Sequence, residues 1–305
     1  MKKKAVPIGA LLTALILPIA FPNIYLIKVL TIMLIFIMYS SAWNLLAYSG
    51  QASLGHAAFF GIGAYASALF ANKLPIHPIF SSLIAGIIAA LVGLAVGIVC
   101  LRLREWFLAM VTFGVPLIIQ TLTVTKLKFL GGWDGMPARR LVTPTQISYL
   151  YEYYLILAVC VISILIISMI FNSKFGIALS VIRQNEAEAK ILGINVVRYK
   201  LIAFLLSSYL AGVAGALEVH HIGYITPEVY GSDISFWPVV YTIAGGLGTI
   251  EGPVIGTVVI TFLWELLKNL GLLFEKYIII GIMLVGMVIF MPRGLVSLVK
   301  KRSHS

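Results

Sequence analysis

Charge is what this sequence has least of. Asp, Glu, Lys and Arg make up 11% of its 305 residues, where soluble domains carry about 25%. No polar stretch is long enough to build a soluble domain. Cysteine is nearly absent: Cys100 and Cys160 both fall in or at the end of apolar runs, without metal-ligand spacing, and read as buried small residues. Catalytic signatures are missing too. There is no HExxH and no GxSxG, and Glu218 and Glu265 sit singly near the ends of apolar runs. No catalytic residue, metal site or cofactor is therefore expected. The net charge of +11 is spread as short basic clusters between apolar runs. That pattern sets membrane topology and does not grip a duplex, so nucleic acid is excluded as a partner.

What is present is apolar. Hydrophobic residues make up 61% of the chain and mean hydropathy is +1.04. At about 20 residues per crossing, spans are expected in the N-terminal run after Lys2, Lys3 and Lys4, then near 29–46, in the Gly-rich stretch near 50–70, and near 80–101, 106–124, 150–171, 201–219, 234–247, 254–270 and 277–290. The fold class is thus all-α, a polytopic membrane protein of about ten helices, some short or Gly-broken. The first run has a basic start and an apolar middle but no small-x-small cleavage site, so it reads as a retained span and not a signal peptide. With both termini cytoplasmic, Arg102, Arg104, Arg293, Lys300, Lys301 and Arg302 fall inside. Lys126, Lys128, Arg139 and Arg140 then lie outside, against the bias. The chain is expected to be one transmembrane domain, residues 1–305, in the plasma (inner) membrane.

One polar island interrupts this pattern, between the spans ending near 171 and beginning near 201. Its Lys174, Arg183, Lys190, Arg198 and Lys200 oppose only Glu186 and Glu188. Asn185 can N-cap a helix, Glu188 three residues on completes a capping-box spacing, and Gly193 sits where that helix would end. The helix would put Ala187, Ile191 and Ile194 on one side and pair Glu186 with Lys190 at i,i+4. A solvated loop with one helical turn is the plain reading; a docking element held between two spans is the functional one.

Two glycine clusters follow the same logic. The stretch 50–68 sets Gly55, Gly61 and Gly63 beside Ser53, His56, Tyr65 and Ser67, which suits either close helix packing or a broken helix lining a polar path. His56 is an ionisable group at membrane depth, which suggests function, or it simply caps a helix. Gly245, Gly246, Gly248, Gly252 and Pro253 make a continuous helix unfavourable near 243–257. No Lys-Ser/Thr pair closes that cluster into a phosphate-binding loop. It reads as a tight interhelical turn or a hinge. His220 and His221, adjacent and poorly spaced for a metal, read as surface residues.

The segments AWNLLAYSGQASLGHAAFFGIGAYASALF, LGGWDGM, SKFGIALSVIRQNEAEAKILGINVVRYKLIAFLLSSYLAGVAGAL, GYITPEVYGSDISF and AGGLGTIEGPVIGT occur here in that order. In that order they resemble the LivM-type permeases, membrane subunits of branched-chain amino acid ABC importers. The likeness runs from Ala42 to about Leu270; LRLREWF at 101–107 departs from the family's Leu-Arg-Gly-x-Tyr-Phe pattern. The resemblance implies that Arg183, Asn185, Glu186, Ala187, Glu188 and Gly193 belong to a cytoplasmic coupling loop (172–200) that inserts into a partner ATPase. It implies further partners: a LivH-type permease and an extracytoplasmic solute-binding protein, the latter facing residues 131–136 around Trp133 and the loop from His220 to Asp233. The translocation path is expected at Asn44, Ser53, Gly55, His56, Gly61 and Tyr65, with Gly245, Gly246 and Gly248 as a hinge. Urea or short amides are alternative solutes in the same family. A stand-alone ion-coupled transporter would need intramembrane acids, which the spans hardly offer. An intramembrane serine protease using Ser53 and His56 lacks an oxyanion motif.

Overall fold

Helices begin where apolar runs meet capping residues. In the computed structural model, which describes residues 5–100, 103, 105–142, 145–272, 275–291 and 294–297, there are α1 (Ala5–Ala20), α2 (Ile24–Ala47), α3 (His56–Lys73), α4 (Pro78–Cys100), α5 (Glu105–Thr125), α6 (Gln146–Phe171), α7 (Lys174–Gln184), α8 (Glu186–Ile191), α9 (Val196–Ile222), α10 (Ser232–Gly245), α11 (Glu251–Asn269) and α12 (Glu275–Phe290). Ten of these coincide with the apolar runs; α7 and α8 lie in the polar island. Lys2, Lys3, Lys4, Arg102, Arg104, Arg293, Lys300, Lys301 and Arg302, on which the charge argument for topology leaned, lie outside the described residues. Five helices, α2, α4, α5, α6 and α9, contain stretches long and apolar enough to cross a membrane.

The central element is α9. At 27 residues and 1.5 Å rise it is about 40 Å long, and α2, α3 and α4 pack around it. Its buried face is mostly small: Ser207, Ser208, Ala211, Gly212, Ala214, Gly215 and Ala216. Lipid tails are as apolar as the helices, so close van der Waals contact must hold them together, and small residues permit it. Where α3 crosses α9, a Cβ on Gly63 would run into the Gly212 carbonyl.

Two ends of the bundle can be told apart. At one, α6 leads into the polar island and the island into α9. At the other, a short antiparallel ribbon pairs β1 (Met136–Pro137) with β2 (Tyr224–Ile225). There Arg140 donates to Ile222 O (3.1 Å), and Asn72 accepts from Arg139 N–H (3.1 Å) and donates to Pro137 O (2.6 Å). The two loops expected to face a binding protein therefore form one surface, with Trp133 67% exposed.

Both histidines expected at that surface are buried, His220 fully and His221 nearly so. Adjacent on a helix, they point to different neighbours. His220 Nδ1 donates to Arg139 O (2.6 Å) and Nε2 accepts from Ser67 Oγ (2.7 Å). His221 Nδ1 donates to the buried Glu152 carboxylate (3.0 Å). They staple the ribbon end of α9 to α3 on one side and to α6 on the other.

Because the Gly63–Gly212 crossing leaves no room for a side chain, Gly63→Val should cost about 3 kcal/mol or more through overpacking. Gly281→Ala on α12, where nothing lies within 4 Å of the added carbon, should be neutral or slightly stabilising. Thermal unfolding of both variants in detergent checks this contrast.

Candidate functional site

The chain does not run straight through the bundle everywhere. After α2 ends beside the island, residues 48–55 are irregular; Ser49, Gln51, Ser53 and Gly55 are buried. Their polar groups find partners inside the protein. Trp43 Nε1 donates to Ser53 O (2.7 Å), Ser49 Oγ to Gln51 Oε1 (3.0 Å), Leu54 N–H to Thr112 Oγ1 on α5 (3.1 Å), and Gly55 N–H to Ser53 Oγ (3.2 Å). Gly55 lies so near α5 that a Cβ there would overlap the Thr112 carbonyl. Helix α3 then begins part-way along α9: His56 meets Ser207, the twelfth of α9's 27 residues. From there α3 runs to the ribbon end.

A second inward entry, containing a short 3-10 helix at Pro227–Tyr230, mirrors the first. From the ribbon, residues 226–231 lead inward past α3, where the Tyr230 ring stacks on Tyr65 (centroids 5.8 Å apart) and fills the space where Gly61 lacks a side chain. Helix α10 starts there, since Ser235 Oγ accepts from Ala57 N–H (3.3 Å), and it runs to the island end. Two partial helices thus start from a common depth and run in opposite directions. Side chains cap α2, α6, α7, α8 and α9. By contrast α3 and α10 have glycine N-caps, Gly55 and Gly231, without a capping side chain. Their positive dipole ends therefore meet inside the bundle, with Asp233 in the first turn of α10.

His56 sits at that meeting point, fully buried. Ser207 gives its single proton to Ala42 O (2.7 Å) and so accepts from His56 Nε2 (2.7 Å). The imidazole is held as the Nε2–H tautomer, tying α3 to α9 and α2. Its Nδ1, like Tyr65 Oη, has no hydrogen-bond partner among the described residues.

At the island end, α10 stops at the break over 246–250. Gly246 (φ 138) and Gly248 (φ 75) hold conformations that L side chains rarely adopt, and Gly245 packs against the Gly252 carbonyl. Asn44 of α2 brackets this break. Its Oδ1 accepts from Gly248 N–H (2.8 Å) and its Nδ2 donates to Thr249 O (2.7 Å). The returning chain closes over it, Leu295 N–H donating to Ala244 O (3.0 Å). Asn44 thus ties the second glycine cluster to α2, a link that residue spacing does not show.

The island is more structured than one helical turn. Ser173 caps α7 (3.3 Å to Gly176 N–H). Asn185 Oδ1 accepts from Ala187 N–H (3.0 Å) and Glu188 N–H (3.4 Å), and its Nδ2 donates to Glu188 Oε1 (2.7 Å). Gly193 follows the end of α8 at φ 76. Two expectations are corrected. Glu186 pairs with Lys200 of α9 and not with Lys190, because the chain folds back and brings α9 nearer than the next turn. Ile194 lies past the end of α8 and packs with Ala189, Ile182 and Val196, off the side that Ala187 and Ile191 share; Ala187 is exposed, and Ile191 and Leu192 stand 85% and 69% exposed. No group of three His, Cys, Asp or Glu among the described residues is placed to hold a metal ion.

Long apolar helices, irregular backbone sheltered in their midst and a structured polar island define a multi-pass membrane protein of the permease kind. The family model described as "Branched-chain amino acid transport system / permease component" matches residues 25–288, and the chain belongs to that family. It is similar to the high-affinity branched-chain amino acid transport system permease protein LivM of Escherichia coli (strain K12), at 26% identity over 95% of this chain and 75% of that protein. It is also similar to the probable LivM and LivH permease proteins of Methanocaldococcus jannaschii. Identity is 22% for LivM, over 78% of this chain and 77% of the relative, and 28% for LivH, over 65% and 66%. No solved structure matched the chain.

Replacing Asn44 by Leu keeps the side-chain size and strips both partners from the 246–250 break. Leaving those backbone groups unanswered should cost about 2 kcal/mol. Hydrogen exchange at Gly248 should then quicken about 30-fold if it proceeds by local opening.

Proposed function

We propose that the chain is the transmembrane permease subunit of an ABC importer that carries branched-chain or other small amino acids across the plasma membrane, energised by ATP hydrolysis in partner ATPase subunits. Its relatives' names supply the substrate class. The observation that carries the coupling half of the reading is α8. A six-residue helix capped by Asn185, pinned at its base by Glu186–Lys200, presents Ile191 and Leu192 to water beside Glu188 and Lys190. Two large apolar side chains on a polar projection fit insertion into a groove on another protein.

Residues 172–200 serve as the cytoplasmic coupling loop of a single permease domain, with Arg183, Asn185, Glu186, Ala187, Glu188 and Gly193 as its working residues. Ten crossings follow if each partial helix is counted with its irregular segment. Residues 294–297 return beside Gly246 at the island end, which agrees with both termini being cytoplasmic. A LivH-type permease would complete the pair, and the ribbon surface around Trp133 would face a solute-binding protein. The path runs past Ser53, Gly55, His56, Gly61 and Tyr65, where α3 and α10 start. The break held by Asn44, at Gly245, Gly246 and Gly248, flexes as the bundle opens alternately to either side.

The test uses the complex co-purified from its own cells and reconstituted in liposomes, with labelled leucine and ATP. Glu186→Ala should free the base of α8. Gly193→Val should strain its end by about 1–2 kcal/mol, with no clash since nothing lies within 4 Å. Each should lower leucine uptake per ATP hydrolysed about tenfold, a loss of ~1.4 kcal/mol of coupling, while the chain still inserts. Normal uptake in both variants would rule out the docking role, and purification of the chain without an ATPase would favour the ion-coupled alternative.

A further inference from the structure

Arg183 was grouped with the residues that face the ATPase, but its contacts lead the other way. It lies in the last turn of α7, whose C-cap, Asn185, is also the N-cap of α8. Asn185 alone separates the two helices, so a displacement of α8 moves the end of α7 with it. From that turn Arg183 reaches three places. Its Cα lies against Gly50, so that a Cβ on the glycine would sit 3.4 Å away. Its guanidinium is 5.7 Å from the centroid of the Tyr48 ring, the C-cap of α2. Its Nη1 occupies the space beside Gly248 that any larger residue would fill. Gly50 (φ 82) belongs to the irregular segment that leads into α3, and Gly248 (φ 75) to the break that ends α10.

One side chain therefore touches both interruptions of the bundle, which are separated by nearly 200 positions in sequence. The neighbouring contacts stiffen the junction. The Tyr48 ring stacks on Phe171, the last residue of α6, at 4.1 Å. Asn44, one turn before Tyr48, holds Gly248 and Thr249. A shift of the α7 end would press on Tyr48 and Gly248 through the guanidinium and on Gly50 through the Arg183 Cα, and the small residues at 50 and 248 leave room for both contacts.

We propose that Arg183 is the positioning residue that transmits movement of α8 at once to the segment leading into α3 and to the break that ends α10, so that the two change together. This rests on the docking reading of α8 given above. It assigns Arg183 a role in transmission and not in ATPase binding, which separates the two ideas experimentally.

The reconstituted complex carrying Arg183→Gln should retain its ATPase subunits in wild-type amounts and still hydrolyse ATP, while leucine carried per ATP falls about tenfold. Arg183→Lys, which keeps the charge but not the planar stack, should be intermediate. Tyr48→Phe keeps the ring and should retain coupling better than Tyr48→Leu. The double variant Tyr48→Leu/Arg183→Gln should be no worse than Arg183→Gln alone, because both changes break one linkage. A second readout needs no transport: in the purified chain, hydrogen exchange should rise together at 48–51 and at 246–249 in Arg183→Gln. Loss of the ATPase from the Arg183→Gln complex would make Arg183 a docking contact and overturn the proposal. So would unchanged coupling, additive losses in the double variant, or faster exchange at only one segment. A wild-type complex that binds no ATPase would remove the docking reading and this proposal with it.

Discussion

Everything in this bundle depends on how backbone polar groups are answered where there is no water. A helix answers its own; a break must borrow partners. The two irregular segments are possible because neighbouring elements supply those partners. Asn44 offers one acceptor and one donor to 248–249, Thr112 accepts from Leu54, and Ser235 accepts from Ala57. Removing any one leaves a sheltered N–H or C=O alone, at a cost of about 1–3 kcal/mol.

The second constraint is distance. These side chains reach the breaks only because α9 lets α3 and α4 come close. At the same time the serines of α9 do polar work: Ser207 orients His56, while Ser208 bonds its own helix at Phe204 O (2.8 Å). One small-residue face thus serves packing and hydrogen bonding together. Enlarging it would harm both, which is why the geometry at α3 cannot be separated from the crossing that holds it.

Much of this was legible in the sequence, and what was not shares a cause. Apolar runs located ten of the helices, since length and hydropathy are local properties. The cap at Asn185 and the stop at Gly193 were legible because capping spans only three or four residues. What failed was long-range. Glu186 has Lys190 one turn away, yet its partner is Lys200, chosen by a reversal of the chain that no spacing rule reports. His220 and His221 look like loop residues because a ribbon follows them. They are buried by Arg139 and Glu152, which lie 81 and 69 positions away. The second glycine cluster was visible as a break and the first as one of two alternatives, whereas the hold of Asn44 on 248–249 and the contact of Arg183 with Gly50 and Gly248 were not. The site residues could be nominated individually; their grouping into a meeting of two helix starts needed the fold.

Glu152 bears on the rival mechanism. An ion-coupled transporter needs a buried acid, and Glu152 is one. Its partner argues otherwise. His221 meets it at 3.0 Å with both side chains nearly inaccessible, at the ribbon end and away from the meeting of α3 and α10. A coupling acid must exchange its ion with water on each side in turn, so it has to be reachable at some stage of the cycle. A pair closed in among α6 and α9 is instead suited to fixing the register of those two helices, since breaking either half would strand a buried group. The energy for transport is then better sought outside the spans, which favours the proposed coupling through α8.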